Sequence, residues 1–275
     1  MFRSVDILQI HVAHACNLTC ESCSHYSNHR HSGITQLQDA EDWMSLWSRR
    51  LETRRFVLVG GEPTIHPNLP DFIPLVRRHW PAAHIRLFTN GFFLHRHPNL
   101  PELLHADPNI ELCLSVHHPS LKYQNRLRPI FDLLDTWQAK HPFHLTILHS
   151  HANWTRRYHG YGASMMPFED GQQRESWEIC PAKHCKQLFE GKIWKCPPLA
   201  YLKLQQAKFA LPEAWNRYLA YQPLDPRCSD SELDAFIAKE DEIYCRMCPA
   251  QPQPLVLDAP IRLSEEASGT DVSAH

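Results

Sequence analysis

The sequence predicts an α/β fold on a parallel sheet, with a smaller cysteine-rich region behind it. From residue 5 to about 150, short apolar runs alternate with stretches of helical periodicity, as successive β/α units require. Of the ten cysteines, Cys16, Cys20 and Cys23 cluster at the front, and six fall between Cys180 and Cys248. The 275 residues are enough for one large domain or one and a half, with a substantial core.

The first strand is residues 7–12 (ILQIHV). Behind it, Leu37, Ala40, Met44, Trp47 and Leu51 recur at alternating steps of three and four, which makes an amphipathic helix with Thr35 as N-cap. Residues 56–59 (FVLV) form the second strand, and Phe72, Ile73 and Val76 mark a helix after Asn68. Strands at 84–88 (HIRLF) and 110–116 (IELCLSV) follow. A further helix, opened by Pro129, carries Ile130, Leu133, Leu134 and Trp137. Residues 144–148 (HLTIL) are the fifth strand. Residues 149–179 then lose periodicity and gain glycine, aromatics and charge, as a functional loop or a domain junction does. The division expected is a core over 1–165, a cysteine-rich domain over 166–250 and a loose tail over 251–275.

The formal net charge is −2, and no long basic run offers a footprint for nucleic acid or an anionic membrane. No secretory signal opens the chain and no window holds 18 apolar residues, so a soluble, cytoplasmic protein is expected. Cysteines in that compartment stay reduced, which favours metal binding over a disulfide framework, and their distribution suggests two sites.

Cys16, Cys20 and Cys23 follow the first strand in a C-x3-C-x2-C spacing, and the next cysteine is Cys113. A structural zinc site closes on four protein ligands, so three local thiolates describe a site left open. Gly60-Gly61-Glu62-Pro63 follows the second strand at the same sheet edge, where the glycines admit close approach of a ligand and Glu62 offers a carboxylate to a cation. Together with Leu87 to Gly91 (LFTNG), these motifs resemble the radical S-adenosylmethionine (SAM) superfamily. The resemblance implies a partial (β/α)6 TIM-like barrel in which the three thiolates hold a [4Fe–4S] cluster. It further implies that SAM is bound there and cleaved to a 5′-deoxyadenosyl radical, which abstracts hydrogen from the substrate. Glu62 would take the SAM ammonium, with Gly60, Gly61, Pro63 and Asn90 around the cofactor. Ser115 is either a contact to SAM or an ordinary strand-end serine. Many relatives carry an aromatic before the third cysteine where this chain has Ser22, so Tyr26 or backbone contacts would serve the adenine.

Behind residue 180, C-x9-15-G-x4-C and a later C-x2-C resemble the Twitch domain, a shortened relative of SPASM. This implies an auxiliary [4Fe–4S] cluster on Cys180, Cys196, Cys245 and Cys248, with Gly191 turning a hairpin between the first pair. Cys185 could replace Cys180, Cys228 is left over, and a zinc ribbon is the alternative. Cys113 reads as core. Most of the twenty histidines, including His11, His14, His25, His29 and His31, read as surface or loop residues, while His117 and His118 stand near the expected substrate.

The function expected is that of a radical SAM oxidoreductase, with the auxiliary cluster accepting an electron in a net oxidation. The first strand begins at Ile7 with no room upstream for a leader-recognition domain, which favours a small polar metabolite, sugar-like or aminocyclitol-like, over a peptide. The loop carrying Trp154, Arg156, Arg157, Tyr158 and Tyr161 would clasp that substrate or form a solvated junction. Flavodoxin or ferredoxin would supply electrons. The alternatives are a peptide maturase, an epimerase or rearrangement enzyme, and a zinc-stabilised binding protein.

Overall fold

The strands are β1 (Arg3–His11), β2 (Leu51–Val59), β3 (His84–Thr89), β4 (Ile110–Val116), β5 (His144–His149), β6 (Cys185–Phe189) and β7 (Lys192–Trp194), in a computed structural model that describes residues 3–257. They form one sheet in the order β5-β4-β3-β2-β1-β6-β7. All neighbours are parallel except β7, which returns antiparallel on β6. Five strands follow chain order, as expected. The sixth parallel strand, β6, pairs with β1 and not with β5, so the sheet stays open.

Alternation of side chains across each strand divides the sheet into two faces. Leu8, Ile10, Phe56, Leu58, Ile85, Leu87, Leu112 and Leu114 enter the main core. The intervening Gln9, Arg55, Val57, Arg86, Phe88 and Ser115 line a cavity on the other face. The core side is covered by α1 (Leu37–Trp47), α2 (Phe72–His79), α3 (Leu100–Ala106) and α4 (Leu121–Lys140). In α1 the predicted stripe buries Ala40, Met44 and Trp47. Its last member, Leu51, opens β2 instead: parallel pairing with Arg3 captures a residue that lies four beyond Trp47 and fits either period. Thr35 is not the N-cap, which is Gln36; its hydroxyl donates to the carbonyl of His11 at 2.8 Å.

Helix α4 starts eight residues before Pro129, with Ser120 as N-cap. An internal proline removes one backbone hydrogen bond and costs about 3 kcal/mol. Here the unbroken buried stripe Tyr123, Leu127, Ile130, Leu134 and Trp137 outweighs it, and Pro129 itself faces solvent.

Beyond β5 come α5 (Ser150–Asn153), α6 (Gln173–Glu178), α7 (Pro197–Phe209), α8 (Asn216–Leu219) and α9 (Asp230–Ala238). Glu190 (φ 52°) and Gly191 (φ 70°) turn the β6–β7 hairpin, and positive φ at both central residues is the two-residue turn that suits strand twist. A second core gathers Tyr26, Tyr158, Trp194, Tyr201, Trp215 and Met247, and Trp43 packs against both cores. Of the tail expected to be loose, residues 251–257 are described and bonded: Gln253 exchanges hydrogen bonds with Thr155 and Arg156, and the Val256 amide donates to Glu21 at 3.0 Å. The rest of it lies outside the described residues. No helix among those described is long and apolar enough to cross a membrane.

Candidate functional site

The loop after β1 holds a shape that L-residues rarely adopt, with φ of 52° at Ser22, 58° at Tyr26 and 57° at Arg30. Its frame is backbone: Val12 donates to Val59 at 2.8 Å and His14 to Gly33 at 2.9 Å. Cys16, Cys20 and Cys23 all line a cavity of about 400 Å³. The Leu18 amide lies 3.4 Å and Asn90 Nδ2 3.9 Å from Cys16 Sγ. Burial pushes the Cys23 thiol up, while the amides of His25, Ser27, Asn28 and Tyr26 work against it. Successive N–H groups turned on one sulfur make a nest for negative charge.

Gly60 and Gly61 line the cavity, and the chain's own packing also requires them to be small. A Cβ on Gly61 would stand 2.3 Å from the Ala15 carbonyl oxygen, and one on Gly60 2.6 Å from that of Ala13. This approach lets Gly61 and Glu62 donate to Ala13 and Ala15 at 2.7 and 2.8 Å, which sews the second motif to the cysteine loop. Glu62 is 1% exposed. Its Oε1 accepts from the Thr64 amide (3.0 Å), Thr64 Oγ1 (2.5 Å) and Thr89 Oγ1 (2.5 Å), and its Oε2 from the Asn90 amide (2.7 Å). Burial nevertheless raises its carboxyl above the usual range, because the groups opposing that rise are hydrogen-bond donors and not cations. Asn90 completes the knot through Nδ2, which donates to Asn17 at 2.7 Å. Thr64 and Asn17 escaped the sequence analysis. The Glu-Pro-Thr order, an N-cap followed by proline, was the available signal for Thr64.

Ion pairs floor the cavity. Arg55 meets Asp6 at 2.5 Å and Arg86 meets Glu111 at 2.7 Å. Ser115, His117 and His118 line the cavity too. His118 is committed, its Nδ1 receiving the Ser120 amide at 3.0 Å and its Nε2 bonding Leu257 O at 2.5 Å. Burial, with His151 second, brings His117 down to about 4. The histidines around the first cysteines are largely interior, contrary to expectation. His11 and His29 are buried, and His11 packs with His14, His25 and Tyr201. Burial lowers His14 and His25 to about 4, so these rings act as neutral packing groups.

Cys180, Cys196, Cys245 and Cys248 come together away from this loop. The Cys196 thiol is pushed up by burial, then by Cys248, Cys180 and Cys245. Burial first, with Cys180 and Cys245 adding to it, brings Cys248 up to about 12 even though Arg157 opposes the rise. Cys185, on β6, faces the cavity and has Cys180 as a neighbour, while Cys228 sits 3.6 Å from Arg50 Nη1. Cys113 is fully buried in β4. Among the described residues no three Cys, His, Asp or Glu groups converge closely enough for a single metal ion. An iron–sulfur cluster needs no such convergence, since it sets one thiolate on each of several irons.

Three thiols thus stand at one sheet edge, sewn to Gly60–Pro63 and to Thr89–Gly91. Residues 10–138 match the Radical SAM superfamily. The chain is 24% identical over 94 residues to GTP 3′,8-cyclase of Campylobacter fetus, covering 34% of this chain and 29% of the cyclase. It is 27% identical over 94 residues to that of Chlorobaculum tepidum, covering 34% of this chain and 28% of the cyclase. The matched stretch thus spans under a third of either cyclase. Among solved structures the chain is similar to BtrN in complex with AdoMet and 2-DOIA, with a TM-score of 0.53 and 16% identity over 90% of this chain and 94% of BtrN. The likeness extends past residues 10–138 and shows a common fold.

One expected cofactor contact is displaced. Tyr26 does not line the cavity: it is fully buried in the second core, with its hydroxyl donating to Pro198 O at 3.3 Å and its ring against Tyr158. The left-handed backbone at Tyr26 accompanies that inward placement. The aromatic beside Ser22 is Trp154, from the segment after β5. It lines the cavity and its Nε1 donates to Ser22 O at 3.4 Å.

Proposed function

We propose that the protein is a radical SAM enzyme that oxidises a small polar metabolite of the sugar or aminocyclitol kind. One observation carries the reading: three thiols and a buried carboxylate without a cation face one cavity that Gln9, Arg55 and Arg86 also line. Cys16, Cys20 and Cys23 would hold the first [4Fe–4S] cluster. The donor set fits it, because N–H groups approach the sulfurs as thiolate ligands require. Glu62 would receive the SAM ammonium on Oε2, where a carboxylate oxygen accepting one hydrogen bond keeps capacity for another. Trp154 would lie against the adenine, and Ser115 would meet the ribose or the carboxylate. Cys180, Cys196, Cys245 and Cys248 would hold an auxiliary [4Fe–4S] cluster, with Cys180 preferred to its neighbour Cys185 because it is Cys180 that bears on Cys196 and Cys248.

When bound, these groups supply one-electron cleavage of the sulfonium, abstraction of a hydrogen atom from substrate, and an acceptor for the electron that the substrate radical sheds together with a proton. The chain's own residues do the rest. Arg55 and Arg86 donate to substrate hydroxyl oxygens and Gln9 can also accept from an amino group, while Trp154 and residues 255–257 cover the cavity against water. A flavodoxin or ferredoxin would deliver the reducing electron.

The test is anaerobic reconstitution with iron and sulfide, then reductant, SAM and a panel of polyhydroxylated and amino-substituted metabolites. Release of 5′-deoxyadenosine stimulated by one of them, with a product two hydrogens lighter, is the expected result. A folded, iron-loaded protein that never cleaves SAM would sink the reading.

A further inference from the structure

Arg157 is 3% exposed, and both Nη1 and Nη2 are buried without a hydrogen-bond partner. A guanidinium removed from water and left unpaired is among the costliest of side chains to bury, so negative charge is needed next to it. Arg157 lines the cavity, and the ionisable side chains near it are cysteines. Burial works against its charge, and Cys180, Cys248 and Cys196 support it, with Cys248 beside the guanidinium. Neutral thiols offer little to a cation, whereas thiolates that hold iron offer a full charge.

The backbone sets this position. The Arg157 amide donates to Ser22 Oγ at 2.6 Å and the Tyr158 amide to the same oxygen at 3.2 Å, and Ser22 immediately precedes Cys23. One residue therefore has its main chain anchored on the first cysteine loop and its side chain among the second cysteine group.

Resting on the reading that those four cysteines ligate the auxiliary cluster, we propose that Arg157 is a positioning residue which raises that cluster's reduction potential. Gain of an electron adds one negative charge to the cluster, and a fixed cation in a dry setting stabilises the reduced form more than the oxidised one. The electron comes from the substrate radical, whose proton leaves separately, so no further oxidant is needed.

The experiment is an anaerobic potentiometric titration of the reconstituted protein followed by electron paramagnetic resonance, with the first cluster told apart by its response to added SAM. In Arg157→Met the auxiliary midpoint is expected to fall by about 59 mV or more, a tenfold change in the reduced-to-oxidised ratio at fixed poise. Iron and sulfide content should stay at wild-type values. Arg157→Gln, neutral but still an N–H donor, carries the same expectation should the Met variant fail to take up iron, and Arg157→Lys should restore most of the potential. A wild-type midpoint in a neutral variant with both clusters present overturns the role of Arg157 alone. A wild-type protein that binds one cluster only overturns it together with the reading on which it rests.

Discussion

Glu62 does two things at once, and substitutions can separate them. Its carboxylate gathers donors from Thr64, Thr89 and Asn90, and it faces the cavity without a cation. Glu62→Ala is expected to weaken SAM binding ten- to a hundredfold, the equivalent of about 1.5–3 kcal/mol for one charged hydrogen bond, while iron content persists. Calorimetric titration with SAM measures it, and Thr64→Val, which removes one donor and no charge, should change affinity far less. Gly61→Ala tests the seam between the two motifs: with a methyl 2.3 Å from Ala15 O, the loop must shift, at a cost of about 1–3 kcal/mol and with loss of the first cluster. Urea unfolding and iron analysis report the two effects. The carboxylate was legible in the sequence because GGEP is a contiguous motif. The glycines' true neighbour was not, since Ala13 and Ala15 come close only once β1 and β2 pair.

At the level of elements, α1 is held by its apolar stripe, by Glu41 pairing with Arg78 and His79 of α2, and by Trp47 Nε1 donating to Gly191 O on the β6–β7 turn at 2.9 Å. Trp47→Ala should cost about 3–5 kcal/mol, and the melting temperature of this 275-residue chain should fall by several degrees in a thermal scan. The strands of the cavity floor make a pH prediction. Burial alone would raise Glu111, but hydrogen bonds from Thr146, Arg86 and His84 and the Arg86 charge hold it down at about 2. A carboxylate depressed in the folded state stabilises fully above its unfolded value and loses that contribution as pH falls through its folded value. Stability should therefore decline between about pH 4.5 and 2, and Glu111→Gln should be less stable at neutral pH but lose less on acidification. Acid titration of the circular-dichroism signal checks this, and parallel curves for the two proteins would refute it.

Over the whole molecule, residues 150–184 connect β5 at one edge of the sheet to β6 beyond β1, and on the way they place Trp154 and Arg157 against the first cysteine loop. Cys16, Cys20 and Cys23 line the cavity, and the later cysteine group reaches it through Arg157, whose side chain lies near Cys248 and also lines the cavity. Cys245→Ala with Cys248→Ala is expected to leave SAM cleavage intact while the ratio of oxidised product to 5′-deoxyadenosine falls. A structural staple, once broken, would lower both together. A ratio that stays at the wild-type value would favour a redox-neutral rearrangement or epimerisation.

Composition and local spacing determined the five chain-order strands, the apolar stripe of α1 and the grouping of Cys16, Cys20 and Cys23 near a Gly-Gly-Glu-Pro turn. These depend on residues a few positions apart, whose period of two or of three to four is visible in the chain itself. Tertiary structure decided the rest. Leu51 became strand because Arg3 was there to pair with it, and α4 ran through Pro129 because a buried stripe outweighed one lost hydrogen bond. Tyr26 went to a core that forms with Tyr158 and Tyr201, and β6 took the edge beside β1. Each of these outcomes turns on partners distant in the chain or on the sum of many buried contacts, which no local spacing records.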